Sequence, residues 1–226
     1  MKNFILFGLI LFLLLGCHSP VQTLVLEQIS HYSSGESMGR LTGFYWYTEK
    51  SFEADSGGDY VSIPNYGWYK TDYRWVGGVL RELVRRGEQL KLKGLIPYHV
   101  HVRFDGNSEP VYQQYRLAGK IFPLNKGELL LYQQKAAYIV DKTKESEGLE
   151  LIQGFWDGSV LRTCSGQVYD KINFKQTLPD FVFKDLSFIN SYIAFLGKAT
   201  SKQVFIKELL LLEGKDHVCV ERPIYL

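Results

Sequence analysis

The sequence has few of the residues that announce a chemistry. Its 226 residues include 3 Cys, 2 Met and 5 His. No Cys-x-x-Cys occurs, so a paired-thiol metal or redox site of that spacing is excluded. There is no Gly-x-Ser-x-Gly, and Gly158-Ser159 and Cys164-Ser165-Gly166 read as turns rather than nucleophile elbows. Gly77-Gly78 lacks the phosphate-loop pattern. Neither sign of charge is in excess: 26 Lys plus Arg face 24 Asp plus Glu, a formal balance of +2. Such a chain has no electrostatic footprint for nucleic acid. The adjacent pair Arg85-Arg86 reads as a solvated surface feature. Internal repeats and low-complexity tracts are lacking, and beyond Cys17 no apolar run is long enough to cross a bilayer. What the chain has in quantity is aromatic side chains, 15 Tyr and 14 Phe among them, a richness that suits strands.

The amino-terminal stretch stands apart. After Lys2, Phe4 to Leu15 is an apolar run broken only by Gly8. It is too short to span a membrane, which takes about 20 residues, and fits the core of a secretory signal. The run closes on Leu14-Leu15-Gly16-Cys17. Leu14 and Gly16 resemble the frame of the bacterial lipoprotein signal, although Leu15 is a less usual middle residue. The resemblance implies cleavage after residue 16 and lipidation of Cys17. Several acyl chains, at about 0.8 kcal/mol per buried methylene, make a lasting anchor. An ordinary signal peptide with an incidental Cys is the competing reading. His18 follows Cys17 where an Asp would mark inner-membrane retention, so the expected location is the periplasmic face of the outer membrane. Removal of residues 1–16 leaves 25 basic and 24 acidic residues, a balance of +1.

Along the rest of the chain the expected organisation is a lipid-anchored tether over 17–40, an antiparallel β module over 41–124, a linking helix over 125–148 and a second β module over 149–226. The fold class is thus α+β and β-rich. Phe44-Tyr45-Trp46-Tyr47 predicts a strand, and Ser56-Gly57-Gly58-Asp59 a turn. Gly77-Gly78 between β-type runs predicts a hairpin turn. Val79 to Arg86 is ambiguous, because Val79, Leu80, Leu83 and Val84 also fit one helical face; a strand is the preferred reading. His99 to Phe104 alternates strictly, with Val100, Val102 and Phe104 on one face. Asp105 to Glu109 turns the chain and Val111 to Leu117 returns it. Asn125 with Glu128 forms a capping-box pattern, followed by a helical stripe of Leu129, Tyr132, Ala136, Ile139 and Val140. Gly148 is the expected C-cap. Beyond it, short strands with Gly-marked turns suit a small OB-like barrel.

The rhythm of those strands and the Phe195-Leu196-Gly197-Lys198 turn resemble the carboxy-terminal OB domain of NlpE-type envelope lipoproteins. A wider set of strings resembles the YjaH-like lipoproteins of Gram-negative bacteria, a family of unknown function. These are the lipoprotein signal, Tyr66-Gly67-Trp68-Tyr69, Leu80-Arg81-Glu82-Leu83, Gly154-Phe155-Trp156-Asp157-Gly158, Cys164-Ser165-Gly166 and Cys219-Val220-Glu221-Arg222-Pro223. That resemblance spans nearly the whole mature chain. It implies a cell-envelope location and brings no catalytic residue with it.

Three constellations remain. His99 and His101, two apart on a strand, leave one face together and are the best candidate metal pair. No diagnostic third ligand joins them, and Arg103 on the same row opposes a cation, so a solvent-facing row is the preferred reading and no cofactor is expected. The rows Tyr45/Trp46/Tyr47 and Trp68/Tyr69/Tyr73/Trp75 suit a core, with sugar stacking as the alternative. With Cys17 lipidated, Cys164 and Cys219 form an even pair in an oxidising compartment and are expected to be bridged; two buried reduced thiols are the other reading. The function expected from all this is non-enzymatic binding in the periplasm, with the membrane as a partner through Cys17, a further envelope protein or glycan as ligand, and no nucleic acid. The alternative is an enzyme on a cell-wall or lipid substrate, working in a cleft between the β modules.

Overall fold

The computed structural model describes residues 27–146, 148–174 and 191–222. The signal segment and Cys17 lie outside them. Alternating apolar and polar residues broken by short polar turns can be satisfied by strands that fold back one after another, and eight do so. They are β1 (Ile29–Met38), β2 (Leu41–Lys50), β3 (Glu53–Ile63), β4 (Gly67–Val76), β5 (Val79–Lys91), β6 (Gly94–Phe104), β7 (Pro110–Leu117) and β8 (Lys120–Phe122). Each pairs antiparallel with the next, in the order of the chain. The stretch 79–86 is strand, and it pairs with β4 and β6. Gly77 and Gly78 both take positive φ, +58° and +73°, as a tight hairpin of this hand requires.

The structure departs from the sequence reading at four places. The sheet begins at Ile29, well inside the stretch read as tether, because β2 has a full row of partners on that side. Ser56-Gly57-Gly58-Asp59 is not a turn but the middle of β3. Gly57 serves close packing there: a Cβ would lie 2.9 Å from the Trp46 carbonyl oxygen and 3.2 Å from the Trp75 ring. Arg85 faces inward, with 11 % of its side chain exposed, while Arg86 faces out, because neighbours on a strand face opposite ways. Gly148 is not the helix cap. The helix α1 (Lys126–Lys144) ends at Glu145, whose amide still donates to the Asp141 carbonyl, and Gly148 turns the chain beyond it with φ +72°.

α1 starts on the expected capping box. Asn125 accepts from the Glu128 amide at 3.0 Å, and the Asn125 amide donates to the Glu128 carboxylate at 2.8 Å. Leu129, Ala136 and Ile139 are buried against the inner face of the sheet, with Tyr132 and Val140 packed beside them. That core takes Tyr45, Val61, Tyr73, Trp75, Leu83, Val100, Val102 and Phe104 from alternate positions of β2 to β6.

The rest of the chain forms a second sheet of β9 (Glu150–Trp156), β10 (Leu161–Thr163), β11 (Val168–Tyr169), β12 (Lys171–Phe174), β13 (Ser191–Ala199) and β14 (Gln203–Glu213). Its order is β11-β10-β9-β13-β14-β12, with β12 and β14 parallel and the other pairs antiparallel. The two ends of that order, β11 and β12, are separated in the chain by Asp170 alone, so the sheet is barrel-like and nearly closed. Ile152, Leu161, Ile193, Phe195, Val204 and Ile206 fill it. Phe44 and Trp46, on the outer face of β2, pack against Tyr192, Ala194, Leu196 and Leu210 of the barrel. The Leu151 amide donates to Ser33 Oγ of β1 at 2.9 Å across the same junction.

Candidate functional site

The two faces of the first sheet differ in kind. On the inner face a polar row crosses adjacent strands, Tyr45 beside Asp59, Thr71 and Arg85. Arg85 Nε donates to Thr71 Oγ1 at 2.8 Å, its guanidinium lies 3.9 Å from the Tyr69 ring centroid, and Tyr132 of α1 faces it at 4.9 Å. Asp59 is wholly buried, 3.9 Å from Arg85 Nη2. Burial pushes its carboxyl above the usual range, and Arg85 pulls it back. Nearby, Glu36 accepts from Tyr45 and Tyr138 at 2.5 Å each. Burial opposes ionisation of Glu36, but those two hydrogen bonds and Lys135 outweigh it and hold the carboxyl below its ordinary range. This network joins helix to sheet and is covered by α1.

The outer face is covered by the barrel at Phe44 and Trp46 and open beside it. Between it and the carboxy-terminal tail lies a cleft of about 740 Å³, lined by Tyr60, Trp68, Lys70, Arg86 and residues 218–221. Strand alternation supplies the first wall, since Tyr60 on β3, Lys70 on β4 and Arg86 on β5 are direct cross-strand neighbours. The row continues through His99 on β6 to Arg116 on β7. Four basic side chains thus stand side by side on four strands, a track about 14 Å long at the usual strand spacing. Like charges opposite one another destabilise a sheet unless something compensates them. Arg86 has Asp72 at 3.4 Å. Among the described residues Lys70 and Arg116 make no ion pair. Burial lowers the pKa of His99, and His101, Arg86 and Arg116 lower it further. At one end the Tyr60 and Trp68 rings lie 6.3 Å apart, tilted by 31°, and Trp68 Nε1 donates to Glu88 at 3.1 Å.

The second wall is held by three devices. Cys219 is bridged to Cys164, just beyond β10, with a Cα separation of 6.0 Å. The Gln153 amide on β9 acts like a length of backbone: it donates to the Val220 carbonyl at 3.0 Å and accepts from the Val220 amide at 2.9 Å. Arg222 reaches back to Thr48 on β2, with His31 Nδ1 at 3.3 Å.

The residues singled out in the sequence fall as follows. Cys164 and Cys219 are joined and shape the cleft. His99 sits within the basic track. His101 leaves the same face but is engaged elsewhere, with Nε2 2.6 Å from Glu82 Oε1 and its ring edge on Tyr112. The two are therefore not brought to a common ligand position. Of the aromatic rows, Tyr45, Tyr47 and Tyr73 are core, whereas Trp68 lines the cleft. Lys70, Arg116 and Gln153 carry no mark in the sequence, and Arg86 reads there only as part of a solvated basic pair. Cross-strand register makes the track, and register is not written in any one strand. A family model described as a protein of unknown function matches residues 33–224. No curated protein and no solved structure matches the chain.

Proposed function

Since the chain belongs to DUF1481, a family with no assigned activity, we propose its function from its own cleft: it is a non-enzymatic binding protein of the cell envelope that holds an anionic glycan. The observation that carries this reading is the continuity of the Lys70, Arg86, His99 and Arg116 track with the Tyr60 and Trp68 rings. Phosphate or carboxylate groups on a sugar chain would neutralise adjacent cations, and the two rings offer flat apolar faces to a pyranose. The lining residues are rings, cations and tail backbone, with Glu221 the one carboxylate among them. A nucleophile with a positioned base, which hydrolysis or transfer would need, is not among them.

Two finer readings belong to the same proposal. The chain is a YjaH-like lipoprotein anchored through Cys17 at the periplasmic face of the outer membrane, as Leu14-Leu15-Gly16-Cys17 suggests. The barrel has OB topology: β9, β10 and the β11–β12 pair act as its first three strands, β13 as its fourth and β14 as its fifth. The support is the parallel pairing of β12 with β14 and the antiparallel pairing of β9 with β13.

The test is a titration of the purified lipoprotein with a phosphorylated oligosaccharide and with its phosphatase-treated twin, read by calorimetry. Tight binding of the first alone is expected. Lys70→Ala and Arg86→Ala should each cost about 1.5–3 kcal/mol, the value of a charged hydrogen bond. Equal affinity for the two sugars, or variants that bind as wild type, would reject the reading.

A further inference from the structure

In a meander the turns alternate between the two ends of the sheet, and these ends differ sharply. One end carries the β1–β2, β3–β4, β5–β6 and β7–β8 turns. Its charged residues at and beside the turns are Arg40, Lys91, Lys93 and Lys120, with no Asp or Glu in the turns themselves. The opposite end carries Glu53, Asp105 and Glu109, and Glu27 pairs there with Lys50 at 2.8 Å.

The basic end also exposes apolar side chains, clustered around the β5–β6 turn, whereas at the opposite end Phe52 and Val76 stand on separate turns. The β5–β6 hairpin closes through Leu92-Lys93, with Lys91 opposite Gly94 and Leu90 opposite Leu95. Leu92 is fully exposed, at 108 %, and Leu90 and Leu95 are each 46 % exposed. Tyr66 of the neighbouring turn is exposed too, and its carbonyl accepts from the Leu90 amide at 2.8 Å, so the two turns form one tip. Leucines at a hairpin tip cost solubility unless something covers them. Lysines on both sides of Leu92 choose the cover. A protein groove would meet two desolvated ammonium groups, whereas a bilayer takes the leucines below its headgroups and leaves Lys91 and Lys93 among the phosphates. Tyr66 is of the type that settles at such an interface.

We propose that the β5–β6 tip, with Tyr66 and the surrounding basic turns, is a membrane-docking element that inserts Leu92 into an anionic bilayer. β1 starts from the opposite end of the sheet to this tip. The contact is separate from the basic track, which lies on the outer face rather than at the tip.

The chain from residue 18 onward, which keeps every described element and removes the expected anchor, is sedimented with phosphatidylglycerol vesicles and with phosphatidylcholine vesicles. Binding to the anionic vesicles alone is expected. Leu92→Asp should lower partitioning by about tenfold or more. Lys91→Ala and Lys93→Ala should lower it by about fivefold each. Lys70→Ala/Arg86→Ala should leave it unchanged, while losing the oligosaccharide. A fluorophore that reports polarity, attached at Leu92→Cys, should move to an apolar environment on the vesicles. The proposal is overturned by absent binding, by tip variants that sediment as wild type, by loss that follows Lys70 and Arg86 instead, or by a probe that stays in water.

Discussion

At the residue scale, the buried pair Asp59 and Arg85 shows how a charge is kept inside this sheet. Arg85 lies between two tyrosine rings and donates to Thr71, and Asp59 depends on it for compensation. Removing one partner of such a pair leaves the other unpaired in an apolar place. Arg85→Met should therefore destabilise the protein by about 3–5 kcal/mol in urea unfolding. The double variant Asp59→Asn/Arg85→Met should lose less than the two single losses added, because the uncompensated charge is gone. Two glycines make a second comparison. A Cβ at Gly57 would meet the Trp46 carbonyl at 2.9 Å, whereas at Gly87 it would collide with the Trp68 carbonyl and the Tyr69 Cα of the neighbouring strand. Gly87→Ala should lower the melting temperature more than Gly57→Ala, since the backbone of β4 at Trp68 and Tyr69 presses closer on Gly87 than any atom does on Gly57.

At the element scale, α1 is held by its cap at one end and by carboxylates of β1 and β2 along its length. Lys144 bonds Glu49 and holds that carboxyl below its ordinary range, against the effect of burial. Glu36 is also held low, by Tyr138 and Tyr45. A carboxyl with a lowered folded pKa adds stability above its unfolded value, and that stability is lost as pH falls through the folded value. The docking of α1 should thus weaken below about pH 4, where an ordinary carboxyl titrates. Asp59, raised by burial, acts in the opposite sense and does not share this loss. Hydrogen exchange of the α1 amides, corrected for intrinsic rates, should accelerate relative to β4 and β5 as the pH is lowered. Equal protection of helix and strands across that range would contradict this. Asn125→Ala should cost about 1 kcal/mol by removing the capping bond.

At the scale of the whole molecule, the tail is what turns two sheets into one cleft. The bridge between Cys164 and Cys219 spans 55 residues, and the chain-entropy view values such a loop at about 4 kcal/mol. Cys164→Ser/Cys219→Ser should destabilise the barrel by up to that amount. It should also weaken oligosaccharide binding, because the wall at 218–221 then loses its covalent tie and keeps only the Gln153 and Arg222 bonds and the packing of His217 on Tyr192. Calorimetry of the reduced and oxidised protein checks both effects. Unchanged affinity after reduction would show that the sheet face suffices without the tail.

Much of the architecture could be read locally. The alternation from His99 to Phe104, the double glycine at 77–78, the Asn125 and Glu128 box and the parity of Cys164 and Cys219 each express a rule that acts within one element or one count. The departures come from longer range. Gly57-Gly58-Asp59 has the composition of a turn, yet β2 and β4 on either side draw it into the sheet, where bare Gly57 admits the Trp75 ring. Arg85-Arg86 is one basic pair in the chain and two unrelated sites in the fold, because a strand sends neighbours to opposite faces. The basic track needs Lys70, Arg86, His99 and Arg116 from four strands in one register, and register follows from the packing of the buried rows on the inner face. The sequence by itself determined the helix with its cap and most strands and hairpin turns, since those depend on the steric and hydrogen-bonding preferences of adjacent residues; β1 and the middle of β3 took their form from the strands beside them. Which side chains share a face, a cleft or a tip was decided only by the tertiary structure, since that depends on how separate strands align when their apolar sides are buried together.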